Sequence, residues 1–163
     1  MTTTTQYKMM DSPIGPLRLL ASNKGLAGVY FERTRPRRRQ PGGDVENAKH
    51  PLLVEAERQL REYFAGKRRA FDLTLDFAGT PFQKSVWTAL LTIPFGQTRS
   101  YGEIAKQVGR PSACRAVGAA NGQNPVAIVA PCHRVIGSTG ALTGFGGGLD
   151  VKEQLLRLEG ARL

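Results

Sequence analysis

Two patterns, changing near residue 78, predict an α/β (α+β) chain of two small domains. Before the change, apolar runs alternate with Gly, Pro and Asn turns around a single amphipathic helix. After it come four helical stretches with cap and breaker signals, interrupted by a glycine-rich segment that holds a Cys-His pair. A chain of 163 residues is long enough to bury a core as one domain or two. Its 40% hydrophobic and 22% charged residues are those of an ordinary globular protein. No run of 18 apolar residues is present, so no membrane span is expected.

Residues 1–78 read as a β-sheet and helix domain. SPIGP, Ser12 to Pro16, and Asn23-Lys24-Gly25 are turns around the strand candidates Leu17 to Ala21 and Leu26 to Phe31. Arg33 to Gly43 carries five arginines and two prolines without apolar periodicity, the composition of a loop that is either simply solvated or in contact with phosphate. Pro51 to Ala65 is a helix with Leu53, Ala56, Leu60 and Phe64 on one face, stopped by Gly66. Phe71 to Phe77 alternates apolar and polar residues as a half-buried strand would. Ala78 and Gly79 then form the linker to residues 79–163.

In the second domain, Thr80, Pro81 and Gln83 make a capping box ahead of a helix whose Phe82, Val86, Trp87 and Leu90 face a core. Ser100 with Glu103 caps the next, Tyr101 to Gly109, and Ser112 is the expected cap of a third that runs to Pro125. Two short helices joined by a glycine-containing turn predict a helix-turn-helix. The third is built largely of Ser, Ala, Cys and Gly. Either a tight core or close approach to DNA calls for such a surface, with Arg115 as its long side chain. Cys114 is read as packing. Val126 to Val129 is expected as a short strand, and Asp150 with Glu153 as the capping box of a last helix, Val151 to Glu159.

The chemistry converges on VAPCHRVIG, Val129 to Gly137. There one of the chain's two cysteines, Cys132, precedes one of its two histidines, His133, next to a loop that ends in GFGGG. On its own the pair has two readings, inert packing and a nucleophile at the floor of a pocket. Glu159, at a helix C-terminus, is electrostatically misplaced unless it is solvated or a cation needs it. Two cysteines and two scattered histidines do not make a structural zinc site, and with no signal-peptide pattern at the N-terminus they point to the reducing cytoplasm. The formal charge of +10 favours a polyanionic partner, with nucleic acid first.

Together, PCHRV, the upstream Asn124-Pro125, SYGEIA, RAVG and the terminal LEG closely resemble the O6-alkylguanine-DNA alkyltransferases from Thr80 to Leu163, with a looser likeness in the first half. The resemblance implies a ribonuclease H-like first domain and a winged-helix-like second one. Its substrate would be double-stranded DNA containing O6-alkylguanine, bound through the minor groove by a monomer, with cooperative loading left open. It implies Cys132 as alkyl acceptor, His133 as base through a bound water, Glu159 as its orienter and Asn124 as a hinge. Tyr101 and Arg115 would manage base flipping, with Arg110 and Ser138 on the DNA backbone. The carbonyls of Cys132 and Val135 and the amide of Gly146 would face the base. Phe145 replaces a tyrosine and Gly146 a serine of some relatives, which makes a roomier pocket. Neither metal nor diffusible cofactor is expected. The alternatives are a lesion sensor, which would lack the acceptor cysteine, and a helix-turn-helix regulator. A Cys-His hydrolase is disfavoured because neighbours in sequence do not normally face each other.

Overall fold

A computed structural model describes residues 5–32, 44–140, 145 and 148–161. The arginine-rich loop from Arg33 to Gly43 and Gly146 lie outside the described residues. The chain divides into two compact units, Met1–Phe77 and Ala78–Leu163.

In the first unit, β1 (Thr5–Met10), β2 (Leu17–Ala21), β3 (Leu26–Phe31) and β4 (Asp44–Glu46) form one sheet in the order β3-β2-β1-β4. The two expected turns make β1–β2 and β2–β3 antiparallel, whereas β4 returns parallel to β1. Helix α1 (Pro51–Phe64) packs on this sheet through Leu53, Ala56, Leu60 and Tyr63, all fully buried. Each buried leucine contributes about 1.5–3 kcal/mol. The imidazole of His50 caps the helix, accepting from Leu52 N at 3.1 Å.

Phe71 to Phe77 is not a strand. It keeps the alternation, with Phe71 and Leu73 half-buried and Asp72 and Thr74 exposed, but it touches the sheet by one bridge, Leu26 to Leu75. Gln59 supplies the remaining backbone pairing. Its buried amide donates to Asp72 O at 3.0 Å and accepts from Asp72 N at 2.9 Å, so a side chain replaces the neighbouring strand. Gly25 permits the one close approach: a Cβ there would lie 2.7 Å from Thr74 O.

The second unit opens with α2 (Pro81–Leu90), capped reciprocally by Thr80 and Gln83 as the sequence predicts. Trp87, 2% exposed, donates from Nε1 to Ala120 O at 2.8 Å, which ties α2 to α4 (Cys114–Gly122). Between them, β5 (Arg99–Ser100) leads into α3 (Tyr101–Gln107), whose Ser100–Glu103 capping box is also present. Helices α3 and α4 pack together across the turn at Val108–Ala113, which realises the helix-turn-helix.

Three local expectations fail here. Ser112 does not cap α4: a turn closed by Ala113 N to Arg110 O delays the helix to Cys114, with Ala113 as an N-cap that lacks a side-chain bond. Val126 to Val129 is a buried turn, because Ile128 takes the left-handed conformation at φ 72° and the chain folds back from Val126 O to Ala130 N. Asp150 is in the first turn of α5 (Leu149–Leu158), not at its cap, which is Gly148 without a side-chain bond. Before α5, the 3-10 turn Cys132–Arg134 runs into β6 (Val135–Ile136), which pairs parallel with β5. Among the described residues, no helix is long and apolar enough to cross a membrane.

Candidate active site

The site is built on a loop that has little freedom. The side chain of Asn124 donates to Ala130 O at 2.7 Å and accepts from Val126 N at 3.0 Å, clasping residues 124–130. Inside the clasp, Ile128 is fully buried in a conformation that costs a β-branched residue about 1–3 kcal/mol, which the clasp and the surrounding packing must offset. Cys132 then begins the 3-10 turn, 5% exposed, with its amide on Ala130 O and its carbonyl accepting from buried Asn121 at 3.3 Å.

His133 is fully buried, and its Nε2 is 2.7 Å from Glu159 Oε2. Its Nδ1 is buried without a hydrogen-bond partner among the described residues. Glu159 caps the C-terminus of α5 and is 5% exposed, so it is not a solvated carboxylate. The cation it needs is Arg134, which donates from Nε to Oε1 at 2.8 Å and from Nη2 to Oε2 at 2.9 Å. Lys152, on α5, is also fully buried and donates from Nζ to Val135 O at 2.6 Å. The turn Pro94-Phe95-Gly96 closes over Glu159. Gly96 has φ 81°, and a Cβ on it would come within 3.1 Å of Glu159 O.

The electrostatics follow from burial. Burial pushes the Cys132 thiol up, while a hydrogen bond from Asn124 and the charge of Lys152 pull it back. Burial holds His133 below the ordinary imidazole value against the pull of Glu159, and Arg134 and Lys152 add to that depression. Burial alone would raise Glu159, but hydrogen bonds from His133 and Arg134 outweigh it and hold the carboxyl at about 2. Burial lowers Lys152 to about 8. The result is a thiol beside a neutral imidazole, itself oriented by a permanent carboxylate. That arrangement can take a proton from sulfur and leave a nucleophile.

Cys132, His133, Glu159 and Val135 are thus buried around one turn, and half-buried Asn124 clasps the loop that leads into it. Tyr101 begins α3, directly after the strand that pairs with Val135–Ile136, and Arg115 is in the first turn of α4. Tyr101 is half-buried, its ring 3.9 Å from where a Cβ on Gly118 would be, and Arg115 is exposed. Arg110 is exposed after α3, its guanidinium 5.7 Å from the Phe82 ring centre. Ser138 is in an exposed turn, and Phe145 is half-buried. On α4, Val117, Ala120 and Asn121 point inward, while Cys114, Arg115, Ala116 and Ala119 are exposed. The small side chains therefore form a smooth outer face, and Cys114 is exposed, not packed. Sequence reasoning missed Arg134, Lys152 and Asn121. Lys152 alone left a trace, as a cation three and four residues before the buried Leu155 and Leu156 of α5.

The comparisons with known proteins agree across both units. Residues 5–77 match the ribonuclease-like domain, and residues 81–161 the DNA binding domain, of the 6-O-methylguanine DNA methyltransferases. The chain is 53% identical over 155 residues to a methylated-DNA--protein-cysteine methyltransferase of Methanosarcina acetivorans, covering 95% of this chain and 98% of that one. It is 51% identical over 157 residues to the protein of the same name from Mycobacterium tuberculosis, covering 96% and 93%. The crystal structure of Mycobacterium tuberculosis OGT in complex with DNA is 49% identical, with a TM-score of 0.86 over 95% of this chain and 92% of that chain. With both domains matched and relatives this similar along nearly their whole lengths, the chain belongs to the 6-O-methylguanine DNA methyltransferase family.

Proposed function

We propose that the protein repairs DNA by direct reversal, moving the alkyl group of O6-alkylguanine to Sγ of Cys132 once per molecule. The observation that carries this reading is the buried thiol next to an imidazole whose far nitrogen is bound to Glu159 at 2.7 Å. His133 Nδ1 takes the thiol proton through a water, and the thiolate attacks the alkyl carbon. The S–C bond forms as the C–O6 bond breaks. The electron pair passes into the purine, whose ring nitrogen takes up, through solvent, the proton that the imidazole received. Lys152 offsets the charge on sulfur before attack. The product is a thioether with no activated carbonyl for water to attack, so the protein is used up. Ethyl and larger groups could follow the same path. The same attack would serve O4-alkylthymine.

A base inside a duplex is out of reach, so the nucleotide must be flipped at a cost of a few kcal/mol. The smooth face of α4 suits a narrow minor groove. In this reading Arg115 fills the vacated stack, Tyr101 turns the phosphate and base, and Arg110 and Ser138 hold the backbone. The carbonyls of Cys132 and Val135 read the guanine amino group. In this reading Val135 and Phe145 line the pocket, to which the family resemblance adds Gly146. Residues 79–163 are the DNA-binding and transfer domain and residues 1–78 a separate one. The protein works as a monomer, with cooperative loading on longer DNA as a further arm of the binding assay, in the reducing cytoplasm that a free nucleophilic thiol requires.

The test is intact-mass measurement after incubation with a duplex holding one O6-methylguanine. One methyl should appear on the peptide containing Cys132, and Cys132→Ala should take up none while shifting the duplex in a gel as wild type does. A methyl on another residue, or loss of DNA binding in a folded Cys132→Ala protein, would overturn the assignment.

A further inference from the structure

Glu159 is held by more than the histidine it orients. Arg134 follows His133 in the same turn, is 6% exposed, and has a third donor committed elsewhere: Nη1 donates to Ile93 O at 2.6 Å. The ring centre of Phe95 lies 5.8 Å from its guanidinium carbon. The fork is therefore anchored by backbone and ring before it meets the carboxylate. Both carboxylate oxygens accept from it, and Oε2, which accepts from Nη2, is the same atom that meets His133 Nε2.

We propose that Arg134 is a positioning residue for the transfer, fixing the Glu159 carboxylate so that Oε2 is aimed at His133 and setting how much of its charge the imidazole feels. The inference rests on the alkyl-transfer reading of the site, and Arg134 acts in it through Glu159, not on the reacting atoms. Two physical reasons support it. A carboxylate at a helix C-terminus is repelled by the backbone dipole, so its place there needs a cation. A bidentate guanidinium also fixes the carboxylate plane, which a lysine's point charge does not. Without Arg134, His133 would feel more of the charge of Glu159, which favours imidazolium. An imidazolium already carries the proton that the base must accept.

Among the described residues, few charged and titratable groups face His133. Its own turn brings Cys132 and Arg134, and α5 brings Lys152 and, at its cap, Glu159. Helix α2, also packed on this turn, carries Lys84 alone, and that side chain is exposed. Lys152 opposes protonation of His133 in the same sense as Arg134, while its ammonium donates to the Val135 carbonyl and lacks the planar fork that fixes a carboxylate.

The experiment uses the full chain with Arg134→Met, Arg134→Lys, Glu159→Gln and the Met/Gln double variant. Single-turnover transfer is followed against pH, and the His133 imidazole is titrated by NMR, where only His50 shares its region of the spectrum. Arg134→Met should transfer at least ~10-fold more slowly at neutral pH. Both its acid limb and the His133 midpoint should move up by about one unit. Arg134→Lys should restore the limb but not the full rate. The double variant should be no slower than Glu159→Gln, because Arg134 acts only through that carboxylate. A slower Arg134→Met with an unmoved limb and midpoint, or losses that multiply in the double variant, would overturn the proposal. Should Arg134→Met not fold, the double variant, which removes both charges, and Arg134→Lys decide between the same outcomes. A wild-type protein that transfers nothing, while Arg134→Met still shifts His133, would refute the reaction and leave the coupling standing.

Discussion

Lys152→Met should make the protein more stable and a poorer alkyl acceptor. The lysine is fully buried and its ammonium is lowered from the ordinary 10.5 to about 8. Keeping that charge folded at neutral pH therefore costs about 3 kcal/mol. Methionine of similar length removes that cost and forfeits the hydrogen bond to Val135 O, about 1–2 kcal/mol. The net gain is about 1–2 kcal/mol, or about 3–6 °C in Tm for a chain of this size. The sign with pH is fixed. A lysine whose folded value is depressed binds more protons in the unfolded state between about 8 and 10.5. Wild-type stability from this group therefore rises across that window, and the advantage of methionine shrinks over it. Denaturant unfolding at neutral pH and near the top of the window measures both. Transfer should fall about 10-fold or more, since the lysine is the one charge among the influences that offset burial of the thiol. Destabilisation at neutral pH, or transfer at the wild-type rate, would refute the reasoning.

The other predictions concern the loop and the exposed helix. Asn124→Ala opens the clasp on residues 124–130, takes away the acceptor of Val126 N and leaves Ala130 O with the Cys132 amide alone of its two donors. It should cost about 2–4 kcal/mol in denaturant unfolding and raise the thiol value in an alkylation-rate titration, because Asn124 also hydrogen-bonds the sulfur. Arg115→Ala should weaken repair of a duplex much more than reaction with free O6-alkylguanine base. Equal losses on both substrates would remove Arg115 from base flipping.

What the sequence revealed about this fold depended on how local the cause was. The capping boxes Thr80–Gln83 and Ser100–Glu103 are contained within four residues, and both form as read. Ser112 and Asp150 have equally good local patterns, yet the chain enters those helices elsewhere, through a turn at Arg110–Ala113 and through Gly148 at φ 96°. Val126 to Val129 has no period, so an apolar run that turns looks the same as one that pairs. β5 and β6 have two residues each, too few for any pattern, and exist because they meet each other. In the site, Cys132 and His133 are conspicuous as neighbours, but their relation to Glu159 entered only through the resemblance. Arg134 was invisible, and Lys152 nearly so, for a physical reason. A charged residue is expected outside unless something far along the chain covers and pairs it, and here Glu159 and the Val135 carbonyl do so. Cys114 went the other way, exposed because the face of α4 that carries it is the one turned from the core.

The most direct test of the central claim is a titration of the protein with excess duplex DNA carrying label on the O6-methyl group. Label should move to protein until one methyl per chain is bound at Cys132 and then stop, leaving unmodified guanine in the repaired strand. Continued release of label beyond one equivalent, or label that leaves the DNA without appearing on Cys132, would contradict it.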